Sequence, residues 1–527
     1  MTRVYGWLLV LVLPLASCGK GQDFRWIDAQ GQARSARKAD DVPRGDWRTV
    51  TVDVTGVEAT SGERFRTAEG LTVVIEGIQA PALDDDGTAV SFGGAKARAR
   101  LDELVKNVPL TLEFEGDRRL PDGEYLAHPV RDDGTEGKLL AEILLEEGLV
   151  RLCLEEDAMR HAAILRAAQA KAKKAQTGVW GKPSYPLPAE PRVYRGVGLG
   201  LYAQNPDYDY TGFLDEIRDI GGSHVFIPSP WLMEHWQSND FGPWAGRTNG
   251  WPALQRVTKQ ANERKLSVGY LPLVLLRTGT VEHWRGDIQP TQRWLWYRNY
   301  NRYIGRWSDM ARDLGVPFLS VGSEYSSLER DTSAWRNIIA NVRARYEGRL
   351  TYSANWDHLD VLGFWNDLDI VGMTGYHSLT KKNDPTVEEL VAAWAPIREK
   401  LLAVQARENK PILFTEIGYA SQDGTNRDPW DYFRYLNDLE GGNRKAPDHG
   451  EQADCFNALA KVWGDLPHGF MGMYVWNWWR HEPPNVDYGY SIFGKPAYHV
   501  VKRFFAEIKT REALPEPGTA TRPSNGK

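Results

Sequence analysis

Beyond residue 190 short apolar runs alternate with long amphipathic segments. Eight runs have the length and composition of buried strands, at 196–202, 224–228, 266–275, 317–322, 350–355, 370–376, 412–416 and 470–476. The segments between them, among them 210–220, 252–264, 294–314, 332–346, 387–408 and 452–463, carry apolar residues at helical spacing. Pro252 just inside one helix start and Gly221 and Gly315 just past helix ends punctuate them as expected. Eight β-α alternations over about 320 residues predict an α/β domain at 190–510, a (β/α)8 barrel.

Upstream the period changes. Strand-like alternation runs through Thr49-Val50-Thr51-Val52-Asp53-Val54 and through 71–78. A helix at 95–106, strands at 109–114 and 125–130, and helices at 138–147 and 155–177 follow. Strands first with helices interleaved late predict a small α+β domain at 46–184, a β-barrel with covering helices. The proline-rich Pro183-Ser184-Tyr185-Pro186-Leu187-Pro188 links the two domains. A chain of 527 residues is too long for one ordinary core, which agrees with this division.

The two ends read differently. Met1-Thr2-Arg3-Val4 followed by an apolar run from Trp7 to Leu15 is an export signal at 1–17, too short to span a membrane. Residues 18–45, polar and rich in Gln, Asp, Arg and Ala, predict a tether, and 511–527 a disordered tail.

Composition narrows the function classes. A net charge of -6 gives no global pull toward nucleic acid or anionic lipid. There are 21 Trp against 16 Phe, and all but Trp7, Trp26, Trp47 and Trp180 lie beyond residue 180. Trp offers a flat apolar face with a polar NH, a platform for sugar rings as well as a good core residue. Besides Cys18, only Cys153 and Cys455 remain, in different domains, so neither a disulfide framework nor a Cys-rich metal site is expected. No His-Glu-Xaa-Xaa-His run appears, so no catalytic metal and no cofactor are expected.

Sites in (β/α)8 barrels sit at the C-terminal ends of the strands. Glu324 ends the fourth run and Glu416 the seventh. The same count puts Asn355-Trp356 after the fifth, Tyr376-His377 after the sixth and Trp476-Asn477-Trp478-Trp479 after the eighth, so the chemically rich phrases share one rim. Period-two alternation predicts Phe414 on the face of Glu416, and Gly322 on that of Glu324. Two carboxylates in runs of the same design point to an acid/base pair.

Several phrases resemble known families. Leu15-Ala16-Ser17-Cys18-Gly19 resembles the lipobox of bacterial lipoproteins, which implies a lipidated Cys18 and a membrane anchor in the cell envelope; Gly19 after it implies the outer membrane. Glu76-Gly77-Ile78-Gln79-Ala80-Pro81, Tyr125-Leu126-Ala127, the stretch from Leu139 to Val150 and the closing stretch from Ala167 to Trp180 resemble the staphylococcal nuclease family. That resemblance implies an OB-type barrel. At the family's catalytic positions this chain has Val74, Gln79, Ala82 and Glu124, so no nuclease chemistry is expected and the domain serves as a spacer or binding module. The basic Lys171-Ala172-Lys173-Lys174 reads as a solvated lysine face rather than a nucleic-acid contact.

Val321-Gly322-Ser323-Glu324, Tyr352-Ser353-Ala354-Asn355-Trp356-Asp357 and Phe414-Thr415-Glu416-Ile417-Gly418-Tyr419 resemble glycoside hydrolase family 113, the β-1,4-mannanases of clan A. The resemblance implies a retaining double displacement on a polysaccharide or oligosaccharide, with Glu324 as acid/base and Glu416 as nucleophile. It also implies Tyr376 as a hydrogen-bond donor to the nucleophile, Trp476 or Trp478 as the floor of a sugar subsite, and Asn355 and Trp356 as groove lining. The carboxyl groups should then lie about 5 to 5.5 Å apart, whereas about 9 Å would mean inversion. Rival readings are a non-catalytic carbohydrate-binding or cell-envelope scaffold and a nucleic-acid binder acting through the first domain.

Overall fold

The computed structural model describes residues 23–512 apart from 29, 31, 44–49, 82–92, 117–118, 132–136, 156–158, 182–190, 204, 206, 246, 278–282, 432–445 and 480–482. Cys18, the export signal and the linker prolines lie outside the described residues, as does the tail beyond Glu512. The chain folds as two compact units, Met1–Val150 and Arg151–Lys527.

In the first unit the strands Thr51–Ala59, Arg64–Thr67, Thr72–Ile75, Tyr125–Arg131 and Pro109–Glu113 pair in that order, and the last returns to the first. Five strands thus close on themselves around Val52, Val54, Phe65, Val73, Leu110, Leu112 and Leu126, all buried. The helix Gly94–Val105 lies against this barrel with Ala97, Leu101 and Leu104 buried. Gly56 permits the approach, since a Cβ there would sit 2.3 Å from the Val105 carbonyl oxygen. One expectation fails. Within the predicted tether, Phe24–Ile27 and Ala33–Ala36 form an antiparallel hairpin joined to Thr51. Phe24 and Trp26, two residues apart on one strand face, are 2% and 8% exposed, and their burial holds an otherwise polar segment to the unit.

In the second unit the strands Tyr194–Leu199, His224–Met233, Ser267–Leu276, Phe318–Ser323, Arg349–Ala354, Ile370–Thr374, Ile412–Ile417 and Phe470–Trp478 pair in parallel and close into a barrel. Their order and number are those predicted. Tyr194, Phe226, Phe318 and Tyr474 fill the barrel interior in mutual ring contact. Outside it, helix Arg293–Asp313 turns Trp296, Tyr300, Tyr303 and Trp307 inward. The tyrosine hydroxyls donate to the carbonyls of Val321 at 2.8 Å and Leu273 at 3.0 Å, so neither is buried unpaired. Seven of the 21 tryptophans are among the largest fully buried side chains, so a third of them are deep core.

The second unit also contains the helix Ala162–Ala175, which the sequence groups with the small domain. The Leu154 carbonyl accepts from the amides of Asn301, Asn337 and Asn341 at 2.9, 2.9 and 2.7 Å, and Arg151 pairs with Asp309 at 2.8 Å. Trp180 packs under Arg151, Lys173 and Arg312. Lys173 thus stands over the Trp180 ring, its Nζ 5.6 Å from the centroid. Cys153 and Cys455 are both buried and free. No helix among the described residues is long and apolar enough to cross a membrane.

Candidate active site

Glu324 and Glu416 are each 4% exposed and meet at the C-terminal rim of the barrel. Simple alternation does not bring them there, and the predicted shared faces are wrong for both. Phe414 points outward into Trp394, Trp463 and Phe470. The pairing then slips: Met373 opposes Phe414, but the next residue, Thr374, opposes Glu416, leaving Thr415 as a bulge. One extra residue turns Glu416 away from the outer face on which Phe414 lies. In the fourth strand Gly322 likewise faces outward toward Tyr352 and Trp335. There the pairing slips between Ser320 and Ser323, and Glu324 itself takes a left-handed φ of 53°.

A left-handed glutamate costs about 1 to 2 kcal/mol and persists only when its surroundings hold it. Here the Glu324 N–H donates to the Ser353 carbonyl at 2.9 Å and the Tyr325 N–H to the Tyr352 hydroxyl at 2.8 Å. Tyr352 in turn donates to the fully buried Glu329 at 3.0 Å, whose other oxygen lies 2.8 Å from His358 Nδ1. Burial pushes the Glu329 carboxyl up despite His358. This buried brace fixes the turn that aims Glu324.

Around the pair, Thr374 donates to Glu324 Oε1 at 2.8 Å and Tyr376 donates to Glu416 Oε2 at 3.0 Å. Arg285 Nη2 contacts Glu324 and stands 4.0 Å from Glu416 Oε1. One part-buried guanidinium thus faces both carboxylates and places a positive charge beside them. Burial and the nearby Glu324 push Glu416 up to about 7, with Arg285 and Tyr376 pulling the other way. Glu416 therefore keeps its proton well above the usual carboxylate range.

The remaining predicted residues divide. Asn355 accepts from the Trp356 N–H at 3.0 Å, and Trp356 stacks on the 44%-exposed Trp430 with centroids 5.6 Å apart. Behind Trp356, His377 is neutral, burial pulling it down to about 3. Trp476 is half-buried and packs against the barrel-interior cluster. Gly198 makes room for it, since a Cβ there would meet the indole at 2.9 Å. Trp478 is corrected: it is 1% exposed, its indole NH donates to Glu216 at 3.0 Å, and its ring packs on Phe493 and Tyr498. A register shift between Val197, opposite Val475, and Leu199, opposite Trp478, puts it on the outer face. It cannot floor a subsite.

Sequence reasoning missed Arg285, Thr374 and Trp430. Thr374 could have been found, two residues before Tyr376 at the end of the sixth strand; Arg285 begins a single 3-10 turn, Arg285–Asp287, and Trp430 lies in a loop, neither with a periodic signal.

Comparison with known proteins assigns the chain. Residues 212–495, more than half of the sequence, match Glycoside Hydrolase Family 113. The chain belongs to this family. Its catalytic domain is the barrel, and the protein is a glycoside hydrolase. A family 113 β-1,4-mannanase solved as a complex aligns with a TM-score of 0.53 at 22% identity, covering 60% of this chain and 99% of that one. The family 113 β-mannanase AaManA from Alicyclobacillus acidocaldarius, in complex with ManMIm, aligns with a TM-score of 0.52 at 26% identity, covering 60% and 98%. Residues 72–182 match the staphylococcal nuclease homologues. No curated protein matches the chain. Within the family 113 domain, Glu324, Glu416, Tyr376, Thr374 and Arg285 form one hydrogen-bonded and charged group on the rim.

Proposed function

We propose that the protein is a retaining β-glycoside hydrolase acting on β-1,4-linked mannan-like chains, with Glu324 as acid/base and Glu416 as nucleophile. The observation that carries this reading is the single Arg285 nitrogen that touches Glu324 and stands 4.0 Å from Glu416. A nitrogen shared in this way draws the two carboxylates together, which supports the close pair that double displacement needs. Glu416, once ionised, attacks the anomeric carbon while Glu324 gives its proton to the leaving oxygen; water then reverses the steps with Glu324 as base. Only the singly protonated pair is productive. The family's solved members named as β-mannanases favour mannan as substrate class.

Hydrolysis of β-mannan and glucomannan, cellulose and xylan tests the substrate. Release of reducing ends from the mannose-containing polymers at least about 10-fold faster than from the others is expected, a discrimination worth about 1.4 kcal/mol. Preference for cellulose or xylan would sink the mannan assignment.

Tyr376 makes a second test. Its hydroxyl stabilises the ionised form of Glu416. Tyr376→Phe removes a pull downward, so the alkaline limb of kcat/KM, where the pair loses its remaining proton, should move to higher pH by about half a unit to one unit. The loss of activity should therefore be greater at pH 6 than at pH 8. An alkaline limb that stays in place would remove Tyr376 from this role.

A further inference from the structure

The first unit carries a second cluster of reactive side chains. His128 sits in the strand Tyr125–Arg131, between two neighbours: Ile75 pairs beside Ala127 on one side, and Glu113 opposite His128 on the other. Glu76 follows the first neighbouring strand, and Glu115 lies two residues beyond Glu113. Three adjacent strands thus bring an imidazole and two carboxylates to one point. Nε2 of His128 stands 3.7 Å from Glu76 Oε2 and 3.8 Å from Glu115 Oε2, and one ligand atom from each residue lies within 4.8 Å of the others.

Those distances are too long for hydrogen bonds. They approach the spacing of ligand atoms around one small ion, since bonds of about 2.0 to 2.2 Å in a tetrahedron separate neighbouring ligands by about 3.4 Å. The His128 side chain is fully buried, that of Glu76 is 1% exposed and that of Glu115 is 14% exposed. Two carboxylates and an imidazole that bring one ligand atom each to a common point form a donor set for a divalent transition ion. A nitrogen ligand with only two carboxylates suits zinc and its neighbours and not calcium or magnesium, which want a cage of oxygens. None of the three is a position that the nuclease resemblance assigns to catalysis, where this chain has Val74, Gln79, Ala82 and Glu124.

We propose that Glu76, Glu115 and His128 bind one divalent transition metal of the zinc class, which ties three strands of the small barrel together and leaves a fourth coordination position to water. The partly exposed Glu115 marks the side from which the ion enters. The full-length chain, stripped with chelator and titrated with zinc chloride in a calorimeter, should take up one equivalent at this site. Cobalt(II) should give the visible absorption of a four-coordinate site with nitrogen and oxygen ligands. Glu115→Gln, at the exposed edge of the cluster, should weaken zinc binding about 100-fold or more while the circular dichroism spectrum stays native, and His128→Gln should do the same where it folds. Zinc uptake unchanged by Glu115→Gln, no uptake by the native chain, or uptake of calcium in preference to zinc would each overturn the proposal.

Discussion

Glu416→Ala is expected to lower kcat on β-mannan about 10,000-fold or more, a barrier increase of roughly 5.5 kcal/mol, because in the proposed mechanism Glu416 forms the covalent bond. Added azide should restore turnover by entering the vacated face, and its glycosyl azide should carry the inverted anomeric configuration. Folding should survive. The native state holds a proton on Glu416 up to about 7, against 4.5 for an exposed glutamate. The folded protein therefore binds that proton more tightly than the unfolded chain. Stability is full below the lower value and is lost as pH rises through the higher, by roughly 3 kcal/mol. Glu416→Gln, neutral at every pH, removes this penalty. Its midpoint of thermal unfolding should exceed that of the native chain by more at pH 8 than at pH 5. Activity near the native level in either variant would remove Glu416 from the mechanism.

Glu324→Ala is expected to act through the leaving group. On mannan, where the departing sugar needs a proton, kcat should fall about 1,000-fold, within the range that positioned general acids supply. On an aryl mannoside with an acidic phenol the first step should be nearly spared. Azide should then speed release of the covalent intermediate, giving a product of retained configuration. Removing Glu324 also removes the neighbouring negative charge that raises Glu416. On the aryl mannoside, where Glu416 alone must be ionised, the acidic limb should then fall below about 7, whereas Tyr376→Phe moves the alkaline limb of the native pair up. Equal losses on both substrate classes would argue against an acid/base role.

The barrel was legible because each of its eight strands is an apolar run bounded by turn signals, and strand count is independent of register. Strand ends 4 and 7 therefore pointed to Glu324 and Glu416 even though the side-chain alternation assumed for them was wrong. What makes Glu416 face inward is the extra residue Thr415, and a bulge is a property of the pairing between two strands, not of either sequence. Trp478 was misplaced for the same reason, since a register shift in the eighth strand separates it from Trp476. Arg285 was invisible because its single turn has no period; only the closed barrel brings it to both carboxylates. In the first unit, polar composition hid the hairpin at 24–36, although Phe24 and Trp26 already alternate as a half-buried strand should.

The paired roles of Glu324 and Glu416 meet most directly in the stereochemistry of one turnover. Proton NMR of a mannan oligosaccharide, recorded in the first minutes of hydrolysis and before mutarotation, reads the anomer that the enzyme releases. Double displacement predicts that the β-anomer appears first and the α-anomer follows with the uncatalysed mutarotation rate. Initial appearance of the α-anomer would mean a single displacement by water, and would contradict the assignment of Glu416 as a nucleophile.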